Sequence, residues 1–194
     1  MRYGYDRAFS VQEIIDHFTP NSFDALNYQR YLTEGYYIEA APNFACTYGL
    51  SVSQYRPYAG IRLFPPRDIC EFRERIVHNY YIYKRRRPPF VNQWITPDIM
   101  VHLRQQPVVM SFRVGHDFSE WFGTWRIYHP PQDPAIPSFY HSMVVLGYDT
   151  DGETLEDYWI CMNSCGRECG IDGFCRVLRC AVRNPINEAV VPIV

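Results

Sequence analysis

The chain has no apolar run long enough to cross a bilayer, which excludes a transmembrane helix. It also has little net charge. A formal value of −2 and a pI near 6.3 give no global attraction to nucleic acid or to an anionic membrane surface. The single local basic run, Lys84, Arg85, Arg86 and Arg87, is followed by Pro88-Pro89 and reads as a solvated loop. Met1 to Pro20 lacks the charged start and continuous apolar stretch of a secretory signal peptide, so the compartment stays open. Repeats and low-complexity tracts are missing too. The seven cysteines (Cys46, Cys70, Cys161, Cys165, Cys169, Cys175 and Cys180) are an odd number, so at least one is outside any intrachain disulfide.

The chain does have material for a core. Its 194 residues are 47% hydrophobic and 16% aromatic, enough for one medium domain or two small lobes without a disulfide scaffold. The pattern changes character along the chain. In the first half, Ser10 and Glu13 form a capping box ahead of Val11, Ile14, Ile15 and Phe18, predicting a helix over about 10–18. Ile69, Phe72 and Ile76 predict a second short helix. Thr96 before Pro97 predicts a third that ends before Pro107.

After Pro107 the reading turns to strands: Val108 to Phe112, Ser142 to Tyr148, Tyr158 to Met162 and Phe174 to Leu178. Asp151-Gly152 fits a hairpin turn between the second and third. The Pro-rich stretches Phe64 to Arg67, Arg87 to Phe90 and Pro130 to Pro137 read as loops. The expected architecture is α+β, with a helical front lobe over residues 1–93 and a mostly antiparallel β lobe over 94–194.

His141 opens one predicted strand, and Asn163 closes the next, 22 positions later. On an antiparallel hairpin both can lie at the same end. An amide oxygen that accepts one ring N–H fixes the imidazole tautomer and leaves the other nitrogen as a base. Taken alone, the pair fits a structural histidine and a turn asparagine better than it fits catalysis. The C-terminal cysteines offer a different chemistry, zinc binding. Their spacings of 3, 3, 5 and 4 intervening residues and the placement of Cys161 and Cys175 within strands disfavour it. Buried thiols with one local disulfide suit them better, and no cofactor or metal is expected.

Three linked stretches carry a resemblance: His141 to Tyr148, Tyr158 to Gly166, and Gly170 to Phe174. Together they resemble the back half of papain-family cysteine peptidases, where the base histidine starts an H-A-V-x-x-V-G-Y strand and the orienting asparagine sits in Y-W-x-x-K-N-S-W-G. Upstream, Gln106 to Val109, Asp117-Phe118, Tyr55 to Gly60 and Phe9 to Asp16 resemble the family's Q-P-V, D-F, Y-P-Y-x-G and L-S-x-Q-E-L-V-D stretches. The resemblance implies a two-lobed fold with a β-barrel-like back lobe. It also implies thiol-dependent hydrolysis of peptide bonds, with His141 and Asn163 as catalytic residues.

The sequence departs from the family at several points. No C-G-[SA]-C-[WY] motif is present. Because Phe9 to Asp16 resembles the helix that follows the nucleophile helix, the nucleophile and the oxyanion glutamine are expected to belong before Met1. Cys46 lies closer to His141 than the about 130–150 residues typical of the family, and is expected to be a core or loop thiol. Cys165 and Cys169 stand where the family has tryptophans. His17 replaces a disulfide-forming cysteine, which leaves Cys70 without that partner, and Phe18 to Leu26 has no match to G-C-N-G-G.

The expectation is therefore a papain-like chain with a truncated front lobe, non-catalytic as it stands. Its partners would be a peptide or protein substrate or binding partner, with a second copy or another protein covering the front lobe, and neither nucleic acid nor membrane. The alternatives are a truncated product of an active endopeptidase and a small metal-binding protein.

Overall fold

The computed structural model describes residues 8–17, 37–59, 72–84, 95–121, 124–133, 135–180 and 186–194. The chain divides into two compact units, Met1–Tyr80 with Pro192–Val194, and Tyr81–Val191.

In the first unit, helix α1 spans Val11–His17. Ser10 caps it, its Oγ accepting the Glu13 N–H at 3.0 Å, which is half of the expected capping box. The other half is absent because the Glu13 carboxylate goes elsewhere. It accepts the Ser51 N–H and hydroxyl at 2.9 and 2.7 Å on one oxygen, and Arg73 Nε and Nη2 at 3.0 and 2.6 Å on the other.

The helix buries its polar side. Gln12, Glu13 and Asp16 are fully buried, whereas Val11 is exposed and Ile14 and Ile15 are half-buried. Burial of this kind is stable only where the polar groups find partners, and hydrogen bonds and the Arg56 charge supply them here, with Asp16 Oδ2 held by charge and not by a hydrogen bond. Gln12 donates to Asp16 at 2.7 Å and accepts the Ala59 N–H at 2.9 Å. Arg56 Nη1 sits 3.9 Å from Asp16 Oδ2 and donates to His17 Nε2 at 2.8 Å.

Helix α2 follows at Ala40–Tyr48 and leads through Gly49 into strand β1, Leu50–Ser51. Strand β2 is Arg73–Glu74, paired antiparallel with β1 through Leu50↔Glu74 and Ser51↔Arg73. The helix expected around Ile69, Phe72 and Ile76 is thus corrected at its described end. The ladder to β1 and the reach of Arg73 to Glu13 both require an extended chain there. Phe72 is exposed and stacks on Tyr55 with ring centroids 5.9 Å apart. Phe18, Ile69, Cys70 and Arg85 to Arg87 lie outside the described residues.

Acid should loosen this unit. Burial, and then the charge of Arg56, hold His17 below its ordinary 6.5, against the smaller opposing pull of Glu13 and Asp16. With the folded pKa depressed, the unfolded chain takes up the proton first. Stability is therefore complete above about 6.5 and declines as pH falls from there toward the folded value. Burial pushes the Glu13 carboxyl up, but the hydrogen bonds from Ser51 and Arg73 together outweigh it and hold the group below its usual 4.5. That contribution is lost at lower pH, as Glu13 itself is protonated. The urea midpoint reported by amides of residues 9–16 is expected to fall between neutral pH and about pH 5. His17→Gln, which keeps an acceptor for Arg56 and cannot titrate, should flatten that first decline. An unchanged slope would remove His17 from the account.

The remaining strands form one seven-stranded sheet: β3 (Asn79–Lys84), β4 (Val108–Gly115), β5 (Ile127–Tyr128), β6 (Ser138–Thr150), β7 (Asp157–Met162), β8 (Phe174–Leu178) and β9 (Ile186–Ile193). Their order is β3-β9-β4-β6-β7-β8-β5. β4 pairs antiparallel with β6 and β9, β6 with β7 and β7 with β8, while β5 runs parallel to β8, so the mostly antiparallel sheet expected is mixed through that one pair. A hydrogen-bonded loop, with Asp151 N to Glu156 O at 2.9 Å, replaces the expected two-residue turn between β6 and β7.

The third predicted helix is present as α3, Ile95–Leu103, packing on β4 and β6 with Ile99 fully buried. β4 has buried residues on both faces, as Val108, Met110, Ser111, Phe112 and Val114 show, because neighbours cover it from either side. Trp159, Val145, Cys161 and Val177 continue the same core into β6, β7 and β8.

Candidate active site

β6 brings His141 to the site and the end of β7 brings Asn163. The last ladder pair of these strands in this direction is Val144↔Met162. One further step sets Asn163 opposite Met143, two residues from His141 on the same face, a diagonal that side chains can span. His141 Nε2 lies 2.8 Å from Asn163 Oδ1. That Asn163 oxygen also accepts the Ser164 N–H at 2.8 Å. An atom facing a backbone donor is the carbonyl oxygen of the amide, so the ring must present Nε2–H to it. His141 Nδ1 then carries the lone pair, ready to accept or return a proton.

The surroundings hold both partners in place. Asn163 N donates to Gly173 O at 2.9 Å, and Ile171 and Phe174 exchange backbone hydrogen bonds at 2.9 and 3.0 Å. Gly170, at φ +66°, packs so closely on the Phe174 backbone that a Cβ there would collide with its carbonyl oxygen. A side chain at this position would force the 163–173 loop apart.

On the other side, Phe112 is the β4 partner of His141, and the buried Phe118 ring lies 5.7 Å from the imidazole. Phe118 sits on a 3₁₀ helix, His116–Trp121, pinned by Tyr128. The Tyr128 hydroxyl accepts the Gly115 N–H at 2.8 Å and donates to Asp117 at 3.2 Å, and burial pushes its pKa up to about 12. Sequence reasoning had aligned Asp117-Phe118 with a family turn without seeing that it backs the histidine. The bond to Tyr128 is non-local and leaves no pattern in the sequence.

The cysteines divide by environment. Cys165 and Cys169 form a disulfide. The C-x3-C spacing allowed such a bridge, but its partners were not assigned from sequence. Cys161 and Cys175 face each other across β7 and β8, both buried, and burial together with Cys175 pushes the Cys161 thiol well up. Cys46 was expected in a core or loop setting and instead occupies α2, half-buried. Burial raises its thiol pKa, the opposite of what an attacking thiolate needs. Among the described residues no group of three or more His, Cys, Asp or Glu is arranged to hold a metal ion. The disulfide also removes two of the five thiolates on which a zinc reading depends.

The family described as papain family cysteine protease matches residues 6–192. Cathepsin L1 of Drosophila melanogaster is 34% identical over 73 residues, 38% of this chain and 19% of that protein. Among solved structures, bromelain from Ananas comosus superimposes with a TM-score of 0.64 at 17% identity, over 97% of this chain and 79% of that one. Digestive procathepsin L 3 of Tenebrio molitor larval midgut gives 0.67 at 21% identity, over 97% and 56%. The chain thus spans about half to four-fifths of the structures it matches, and a smaller part of the curated relative. With a match across nearly its whole length, the chain belongs to the papain family of cysteine proteases.

Proposed function

We propose that His141 and Asn163 are the base and its orienting partner of a papain-type acyl-transfer site, and that the chain engages extended peptide or protein segments without hydrolysing them by itself. The observation that carries this is the 2.8 Å contact from His141 Nε2 to an Asn163 oxygen already fixed by the Ser164 N–H. It leaves Nδ1 as the nitrogen able to take a thiol proton. In such a site the imidazole draws the proton from a cysteine, the thiolate attacks the peptide carbonyl, and the imidazolium returns the proton to the leaving amine.

That step needs a cysteine partner, and the seven of this chain differ in context and environment. None has the nucleophile's sequence context. Burial raises the thiols of Cys46 and Cys161, and Cys165 and Cys169 are joined to each other. A histidine and an asparagine do not attack a carbonyl. Hydrolysis of a fluorogenic dipeptide should therefore fall about ten-thousand-fold or more below that of a complete family enzyme, and should not change further in His141→Ala. Hydrolysis that disappears in both His141→Ala and Cys46→Ala would show a complete enzyme instead. The second reading is that a longer product supplies the nucleophile and is an active endopeptidase. It is favoured by the chain spanning only 56–79% of the structures it resembles. Turnover restored by an upstream segment containing a C-G-S-C-W-like motif would establish it.

A further inference from the structure

We infer that the Cys165–Cys169 disulfide is a positioning element for the His141–Asn163 pair, and that this makes the pair responsive to dithiol reductants. The inference deepens the reading of these two residues as base and orienting partner, and rests on it.

Backbone hydrogen bonds tie the loop from Asn163 to Gly173 to the sheet near its two ends. At one end Asn163 N bonds Gly173 O, and at the other Ile171 and Phe174 bond each other. Between them, 164–169 make local hydrogen bonds, the Ser164 N–H to the Asn163 side chain and Cys169 N to Gly166 O at 3.3 Å, and Gly166 O packs against Gly173. Cys165, Gly166, Arg167 and Glu168 are all exposed, so packing contributes little to holding them. The cross-link closes this segment on itself, with Cα atoms 5.8 Å apart, and begins two residues after Asn163.

The Ser164 N–H lies between the anchored asparagine and the bridged cysteine. It is one of the two donors that define the Asn163 oxygen as acceptor. Opening the bridge gives 164–169 back its chain freedom, lets the Ser164 N–H leave, and admits water to compete for the Asn163 oxygen.

The redox step is a thiol–disulfide exchange with a dithiol as the two-electron reductant. Its thiolate attacks the exposed Cys165 sulfur, breaking the Sγ–Sγ bond and releasing Cys169 as thiolate, which takes a proton. The second thiol of the reductant then displaces Cys165, also as a thiolate that takes a proton. The protein ends with two thiols and the reductant as a cyclic disulfide.

The test follows the His141 imidazole N–H proton by NMR in isotope-labelled protein without substrate, with His141→Gln identifying the signal. In the oxidised chain this proton should exchange slowly with water. Dithiothreitol should speed its exchange about tenfold, the effect of weakening one buried hydrogen bond. The Cys165→Ser/Cys169→Ser variant should exchange at the fast rate with or without reductant. If that variant fails to fold, the parent chain before and after reduction decides by itself. Equal rates in oxidised and reduced protein, or free thiols at Cys165 and Cys169 by mass spectrometry before reductant is added, would overturn the inference. Neither outcome touches the assignment of His141 as base, which is tested separately: turnover restored by an upstream nucleophile segment should be lost again in His141→Ala.

Discussion

Glu13→Ala is expected to destabilise the first unit by about 3–5 kcal/mol, the cost of leaving one member of a buried ion pair alone. The side chain of Glu13 is 0% exposed and that of Arg73 8%, and their closest oxygen and nitrogen are 2.6 Å apart. Removing the carboxylate strands the Arg73 guanidinium and takes away the acceptor for both the Ser51 N–H and its hydroxyl. Without these bonds, α1 keeps the backbone bond of its cap, Ser10 N to Ser51 O at 2.8 Å, but loses its side-chain tie to β1 and β2 through Glu13. Val11→Ala on the same helix should change stability by no more than about 0.5 kcal/mol, because Val11 is exposed. The comparison inverts what an amphipathic reading of α1 predicts. Amide hydrogen exchange at residues 9–16 and 50–52 measures both variants at neutral pH. A loss below about 1 kcal/mol for Glu13→Ala would mean that the buried cluster is not what holds this unit together.

In the second unit the largest effect is expected at Trp159. It is fully buried in the middle of β7, opposite Val177, with the Tyr148 ring edge-on at 6.1 Å and the Arg179 guanidinium 5.6 Å from its ring centroid. Trp159→Ala opens a cavity that a sheet strand cannot collapse into, at a cost of about 3–5 kcal/mol. Because β7 delivers Asn163, the histidine–asparagine bond should weaken in the same variant.

Trp159→Phe gives a sharper result. The indole Nε1 is buried and has no hydrogen-bond partner among the described residues. The smaller ring therefore sheds an unsatisfied donor while losing some packing, and should stay within about 1 kcal/mol of the parent. Urea unfolding followed at core amides of β4 and β7 distinguishes the two. Equal losses in both variants would mean that the indole N–H has an acceptor in solution.

The back half of the site could be read in the sequence because its signals are local. β-Branched and aromatic runs marked β4, β6, β7 and β8, and the 22-residue spacing of His141 and Asn163 matched two adjacent strands of one hairpin. β6 nonetheless runs from Ser138 to Thr150, longer than its apolar stretch, because β4 supplies partners as far as Gly115↔Ser138.

Non-local contacts were not legible. The apolar spacing of Phe72 and Ile76 suggested a helix, but the β1 ladder and the Glu13–Arg73 bond impose strand there. On α1 the spacing of Val11, Ile14 and Ile15 suggested the buried side, and a cluster closed by Ser51, Arg56 and Arg73, each about 40 or more residues away, buries the opposite one. The parallel β5–β8 pair and the Tyr128–Asp117 contact that backs His141 likewise depend on tertiary neighbours.

We propose that this chain carries the base and its orienting amide but no cysteine that the base can activate. Intact-mass and peptide mass spectrometry after incubation with a peptidyl epoxide that alkylates papain-type thiolates tests it most directly. The account predicts that none of the seven cysteines is labelled in a His141-dependent way. Stoichiometric labelling of one cysteine, Cys46 above all, that vanishes in His141→Ala would contradict it.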